Sequence, residues 1–284
     1  EDLERGRAQR KSAPRRSLAS LVPGPRPAVD ILVEQNRNRL PDLVPLRFAR
    51  MLTDPFSFYR GSAAVMAADL AAGPSSGIEV MSGGDAHLSN CGMYASPQRT
   101  LVFDFNDFDE AAVAPAEWDV KRLVTSAIVG GRHNGYPAKT VNRIAAATVR
   151  RYREGLDVML DMNVLDRYYL RLEPQRYANQ VHGSLAAVIE ATARTARKRT
   201  SARVFQRMME TGPDGLLRVR ENPPLLQHLT VDDEAALVNS FREYLTTVPA
   251  DVAVVLSHFE LTDIALQVVG VGSVGTRVWI VLLV

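Results

Sequence analysis

The stretch Gly83-Gly84-Asp85-Ala86-His87-Leu88-Ser89-Asn90-Cys91-Gly92-Met93-Tyr94-Ala95, with its continuation through Leu101-Val102-Phe103-Asp104-Phe105-Asn106-Asp107-Phe108-Asp109-Glu110, decides the fold. Nowhere else in the sequence are carboxylates and other metal-competent side chains so dense. Cys91–Ala95 and Thr100–Phe103 have the apolar, β-branched and aromatic character of short strands, and Ser96-Pro97-Gln98-Arg99 between them is a turn. The pattern predicts a hairpin over 91–104. Folding it back carries Asp104 toward Asn90, with Asp107 three residues further along.

Asp85 and Asn90 form D-x-x-x-x-N. At that spacing one short loop can offer a carboxylate to an attacking hydroxyl and an amide oxygen to a magnesium ion. Asn90, Asp104 and Asp107 are hard oxygen donors of the kind Mg²⁺ accepts together with phosphate oxygens and water. The motif alone is short, and Asp or Asn beside Gly serves turns as readily as chemistry. His87 fits either a turn histidine bonded to the loop backbone or a catalytic group. Cys91 fits a small buried strand residue.

Four strings carry a resemblance: Phe58 to Ala71 (F-Y-R-G-S-A-A-V-M-A-A-D-L-A), Gly84 to Asn90 (G-D-A-H-L-S-N), Phe103 to Glu110 (F-D-F-N-D-F-D-E) and Glu117 to Leu123 (E-W-D-V-K-R-L). They resemble the bacterial DUF2252 family, over most of the chain from about Phe48 to Val284. The loop is more remotely similar to the aminoglycoside phosphotransferase and protein-kinase-like superfamily. The resemblance implies an α+β, protein-kinase-like fold. It further implies ATP and Mg²⁺ as cofactors and phosphoryl transfer to a hydroxyl of a small molecule or protein. Asp85 would then be the catalytic base, with His87 beside it, and Asn90 a metal ligand. Asp104 or Asp107 would be the metal-binding aspartate of the D-F-G type, although D-F-N and D-F-D both depart from that triplet. Asp119 would match the aspartate that opens a helix behind the catalytic loop and steadies its backbone.

A second glycine motif, G-x-G-x-x-G, falls at Gly270, Gly272 and Gly275, with Ser273 inside it. The residues after it are β-branched and apolar rather than helical, so a dinucleotide-binding reading is disfavoured. A glycine loop between two strands is the setting in which kinases cover nucleotide phosphates, and it is also an ordinary hairpin. Because this motif follows the Asp85 loop instead of preceding it, a kinase-like fold here is expected to be circularly permuted. The lysine expected on the next strand is not reached before Val284. An apolar strand left open there predicts that the sequence is part of a longer protein.

Working outward, 284 residues with 46% hydrophobic and 23% charged content suit a globular protein of one large domain or two lobes. A formal charge of +2 is too small to make nucleic acid or an anionic membrane the main partner. No run approaches the roughly 20 apolar residues of a membrane span. One cysteine excludes an intrachain disulfide, and the expected compartment is the cytoplasm. Residues 1–27 are rich in arginine, serine and proline and are expected to be a flexible tail. Residues 28–260 are expected to be mainly helical, and 261–284 to begin the glycine hairpin of a nucleotide-binding lobe.

Within the helical part, the patterns predict one helix over Pro55–Ala72, capped by Asp54, and a loop over Ala111–Pro115. They predict a helix from Ala116 that Gly130-Gly131 ends, another over Thr140–Leu160, and another over Ser184–Met209. Arg60 is either an exposed helix arginine or a phosphate ligand. The basic run Arg194, Arg197, Lys198, Arg199 and Arg203 is a solvated face or an anion site. An alternative to phosphotransfer is a metal-dependent hydrolase built on Asp85, His87, Asp104 and Asp107. A third is a nucleotide-binding protein without catalysis.

Overall fold

The computed structural model describes residues 2–22, 27–177, 183–198, 200–228 and 231–284. Helices α1 (Asp2–Ser12), α2 (Ala28–Asn36), α3 (Val44–Met51), α4 (Pro55–Arg60) and α5 (Ala63–Ala71) precede the first strand, β1 (Glu79–Ser82). Strands β2 (Cys91–Ala95), β3 (Leu101–Phe105) and β4 (Ala112–Pro115) come next. Helices α6 (Glu117–His133), α7 (Ala138–Leu160), α8 (Val164–Tyr168), α9 (Pro174–Tyr177), α10 (Ser184–Arg197) and α11 (Ser201–Met208) follow. The chain continues with β5 (Met209–Thr211), β6 (Leu217–Val219), β7 (Leu226–Gln227), α12 (Val231–Leu245), α13 (Ala250–Leu256), β8 (Leu261–Gln267) and β9 (Trp279–Leu283). This is a mixed α+β chain with small antiparallel sheets. It divides into two compact units, residues 1–35 with 49–197, and residues 36–48 with 198–284.

In the first unit the β2–β3 hairpin forms as the sequence predicts, with Cys91 facing Phe105 and Ala95 facing Leu101. Its turn is closed by Ser96, whose N–H donates to the Thr100 carbonyl at 2.8 Å. The expected loop at 111–115 is instead strand β4, paired antiparallel with β1 from Ser82↔Ala112 to Glu79↔Pro115. Its partner lies some thirty residues back, so no local pattern announces the pairing. Asp54 caps α4 as predicted, its Oδ1 accepting from the Phe56 and Ser57 N–H groups at 2.8 and 2.9 Å.

The single helix expected over 55–72 breaks at Gly61 into α4 and α5. A Cβ at Gly61 would stand 2.7 Å from Cγ of Met51, a side chain with 0% exposure, so the backbone passes where only glycine fits. Gly130 and Gly131 do not end α6, which runs to His133. Gly131 lets α7 approach, since a Cβ there would lie 3.2 Å from Val141, while a Cβ at Gly130 would make ordinary contact with the Phe56 ring at 3.5 Å. The helix stops instead at Gly135, whose φ of 73° is the left-handed conformation that closes a helix C-terminus.

In the second unit β7, β8 and β9 form a three-stranded antiparallel sheet. Its core joins Met209, Val219, Leu226, Ala265 and Leu282. The helix predicted over 184–209 is two helices, the second opened by Thr200, whose Oγ1 accepts from the Arg203 N–H at 3.3 Å. Of the basic run, Arg194 pairs with Glu190 at 2.5 Å, and Arg199 lies outside the described residues.

Candidate functional site

One face of α6 holds the loop between β1 and β2 at three successive points. Asp119 Oδ1 accepts from Ser82 Oγ at 2.7 Å and from the Gly84 N–H at 3.1 Å, while Oδ2 accepts from the Gly83 N–H at 2.8 Å. Arg122, one turn on, donates from Nε to Asp85 Oδ1 at 2.5 Å. Ser126, a further turn along, accepts the Leu88 N–H at 3.2 Å. The spacing of 119, 122 and 126 is that of residues sharing a helical face. Gly84 answers from the loop side. Its φ is 73°, and a Cβ there would fall 2.0 Å from the Glu110 carbonyl oxygen.

Asp85 and Arg122 are 8% and 2% exposed, so their pairing takes place out of water. The Arg122 guanidinium also donates from Nη2 to the Tyr59 carbonyl at 2.9 Å and lies 4.4 Å over the Tyr59 ring. Tyr59 returns a bond from its hydroxyl to the Arg122 carbonyl at 2.8 Å, and burial pushes its phenol up to about 12. Asp85 Oδ2 is 3.5 Å from His87 Nε2. Burial pushes the His87 imidazole down, and the opposing charge of Asp85 does not offset it, so His87 is neutral near pH 7. Its Nδ1 is buried and among the described residues has no hydrogen-bond partner, and the same holds for Nε of Arg60, whose charge is felt at His87.

Asn90 is buried, and its amide N–H groups are spent on main chain, donating to the Asp85 carbonyl at 3.1 Å and the Asp107 carbonyl at 3.0 Å. The Asn90 Oδ1 is then turned away from those carbonyls, and among the described residues it accepts no hydrogen bond. The hairpin register sets what lies near it. The Asn106 N–H bonds the Asn90 carbonyl at 3.0 Å, whereas Asp104 faces Gly92, two pairs further along the hairpin. Asp104 is exposed, with Oδ1 accepting the Phe105 N–H at 2.8 Å. Asp107 is half-buried, and its Oδ1 accepts the Asp109 N–H at 3.1 Å. Asp107 rather than Asp104 is thus tied to Asn90, through its main chain. Among the described residues no group of three or more His, Cys, Asp or Glu side chains is placed to hold a metal ion. Desolvation by neighbouring atoms, then the charges of Asp85, Asp107 and Asp109, push the Glu110 carboxyl up, although the residue as a whole is exposed. A cavity of about 270 Å³, lined in part by Gly84, Glu110 and Arg122, opens beside the loop.

The glycines of the second motif lie in the connection between β8 and β9 of the second unit. Gly270 and Gly275 have φ of 64° and 87°. The turn packs on the unit's own residues: Val274 is 0% exposed, its carbonyl accepts Arg39 Nη1 at 2.6 Å, and the Gly275 carbonyl accepts the Leu40 N–H at 2.8 Å. Gly272 and Ser273 sit between them, and the Ser273 carbonyl accepts the Thr276 N–H at 3.1 Å.

Sequence reasoning assigned no role to Arg122 or Ser126. The signal was present as polar residues at helical spacing from Asp119 on a face otherwise lined by Leu123 and Ala127. No helix among the described residues is long and apolar enough to cross a membrane. A family model described as "Uncharacterized protein conserved in bacteria (DUF2252)" matches residues 39–284. Neither the curated proteins nor the solved structures hold a match.

Proposed function

The chain belongs to the DUF2252 family, and on that premise we propose that the loop Gly83–Asn90 serves kinase-like phosphoryl transfer from Mg²⁺-ATP to a hydroxyl of a small molecule or protein. The observation that carries the reading is Asn90. Its two N–H groups are held by main-chain carbonyls, which leaves its amide oxygen uncommitted and open to solvent next to an acidic hairpin. Such a donor suits a hard divalent cation that keeps water and phosphate oxygens for its remaining positions. Asn90 and Asp107 would hold the ion, with Asp104 of β3 as a further carboxylate on the same hairpin. When bound, Mg²⁺-ATP supplies the phosphoryl group and neutralises its charge.

The chain's own residues would do the rest. Arg122 occupies Oδ1 of Asp85, so Oδ2 is the oxygen left to receive the proton of an acceptor hydroxyl. Neutral His87, 3.5 Å from that oxygen, would help to fix its direction. Asp119 and Ser126 keep the loop backbone in one shape, which matters because phosphoryl transfer depends chiefly on positioning.

A thermal-shift titration with ATP, with and without Mg²⁺, tests the reading, since a ligand specific to the folded state raises the melting temperature by mass action. A Mg²⁺-dependent rise that Asp107→Asn removes is the expected result. ATP that gives no shift under either condition, or an Asp107→Asn and Asp104→Asn pair that both keep full Mg²⁺-dependent binding and transfer, overturns it.

A further inference from the structure

The cavity beside the loop has an apolar wall and, at its edge, the exposed carboxylate of Glu110. Helix α5 contributes the methyl groups of Ala63 and Ala67 together with Leu70, β4 contributes Ala114, and Trp118 of α6 adds an aromatic surface. Small side chains leave the space open. At about 270 Å³ it has room for about nine water-sized groups. Of its polar lining groups, Ser82 Oγ is engaged with Asp119 and with the Gly84 N–H, Arg122 is engaged with Asp85 and the Tyr59 carbonyl, and Gln35 has an interaction of its own. The Glu110 carboxylate differs. Among the described residues it accepts no hydrogen bond from another residue, and it feels the negative charge of Asp85, Asp107 and Asp109. A ligand that brings a carboxylate would add to that repulsion, whereas one that brings a positive donor would relieve it.

We infer that this cavity is a binding site for a small molecule with an apolar body of about six carbons and a primary ammonium group, the body lying on the alanine wall and the ammonium on Glu110. The inference goes beyond phosphoryl transfer and does not depend on it.

Trp118 reports the site directly, and Trp279→Phe removes the other tryptophan. In that background, without nucleotide or Mg²⁺, the emission of Trp118 is titrated with 1-hexylamine, 1-hexanol and hexanoate. Hexylamine is expected to give a saturable change, and hexanol one about tenfold weaker, the ratio that a single net charge-assisted hydrogen bond yields. Hexanoate is expected to give none. Glu110→Gln should reduce hexylamine to the level of hexanol, and Ala67→Leu, which fills the cavity, should abolish the response while far-UV circular dichroism stays unchanged. The inference is overturned by hexylamine giving no saturable change, by hexanoate binding as well as hexylamine, or by Glu110→Gln keeping the full preference for the amine. Because no nucleotide is present, failure here speaks to the cavity alone and leaves the Asn90 argument to its own titration.

Discussion

Replacing Arg122 with methionine keeps most of the side-chain volume and removes the charge that Asp85 faces. In the native protein the guanidinium is 2% exposed and donates to Asp85 Oδ1 at 2.5 Å and to the Tyr59 carbonyl at 2.9 Å. The variant leaves a carboxylate that is 8% exposed without its partner, along with a main-chain carbonyl short of a donor. Stranding one member of a buried pair costs about 3–5 kcal/mol. At about 2–4 °C per kcal/mol for a unit of this size, the melting temperature should fall by about 10 °C. The double variant Arg122→Met with Asp85→Leu removes both charges and should recover at least about 2 kcal/mol of the loss, because a buried pair replaced by apolar groups of similar volume is close to neutral. Thermal and urea melts of the four proteins in the cycle measure the coupling. A single variant that loses less than about 1 kcal/mol, or a double variant whose loss is the plain sum of the two singles, refutes the argument that this pair is buried and mutually dependent.

Two further outcomes follow from geometry already given. Gly84→Ala sets a Cβ 2.0 Å from the Glu110 carbonyl at a φ of 73°, and should cost at least about 3 kcal/mol in a urea melt; a loss below about 1 kcal/mol would mean that the loop is free to move away. In the second unit His228 has carboxylates at both ring nitrogens, Glu221 at Nδ1 (3.0 Å) and Asp263 at Nε2 (2.9 Å). Burial lowers its pKa, but the hydrogen bond and charge of Asp263, joined by those of Glu221, outweigh burial and raise it. A raised folded-state pKa gives stability that is fully present below the unfolded value of about 6.5 and is lost as pH rises through the folded value. Melts from pH 5 to 9 should therefore show a decline above about pH 6.5 that His228→Gln removes, and an unchanged profile in that variant would show that another group carries it.

What the sequence made legible was local. The β2–β3 hairpin follows from its alternation and the Ser96–Arg99 turn, and the Asp54 cap from one side chain reaching two residues ahead. What it hid depends on partners far along the chain. Strand β4 exists because β1 is there to pair with it, and Gly61, where the helix breaks, is needed because Met51 occupies the space a Cβ would take. Gly130-Gly131 misled for the same reason, being a place where α4 and α7 pack and not a stop signal. At the candidate site Asp85, His87 and Asn90 stood out in the motif, whereas the only signal for Arg122 was its helical spacing from Asp119 within E-W-D-V-K-R-L. The hairpin register places Asn106 opposite Asn90 and Asp104 two pairs away, a detail that no local pattern in the sequence carried.

Helix α6 works as a ruler. Asp119 to Ser126 spans two helical turns, about 10 Å of rise, and along that length it sets the distances between the start, the middle and the end of the loop it grips. A residue inserted at position 120 or 121 would swing everything beyond it by about 100°, so Arg122 and Ser126 would leave the loop together while Asp119 stayed in place. Length variation in descendants or designs of this protein must then fall outside that span, in the turn at 96–99 or beyond Gly135, where neither end of the grip is disturbed.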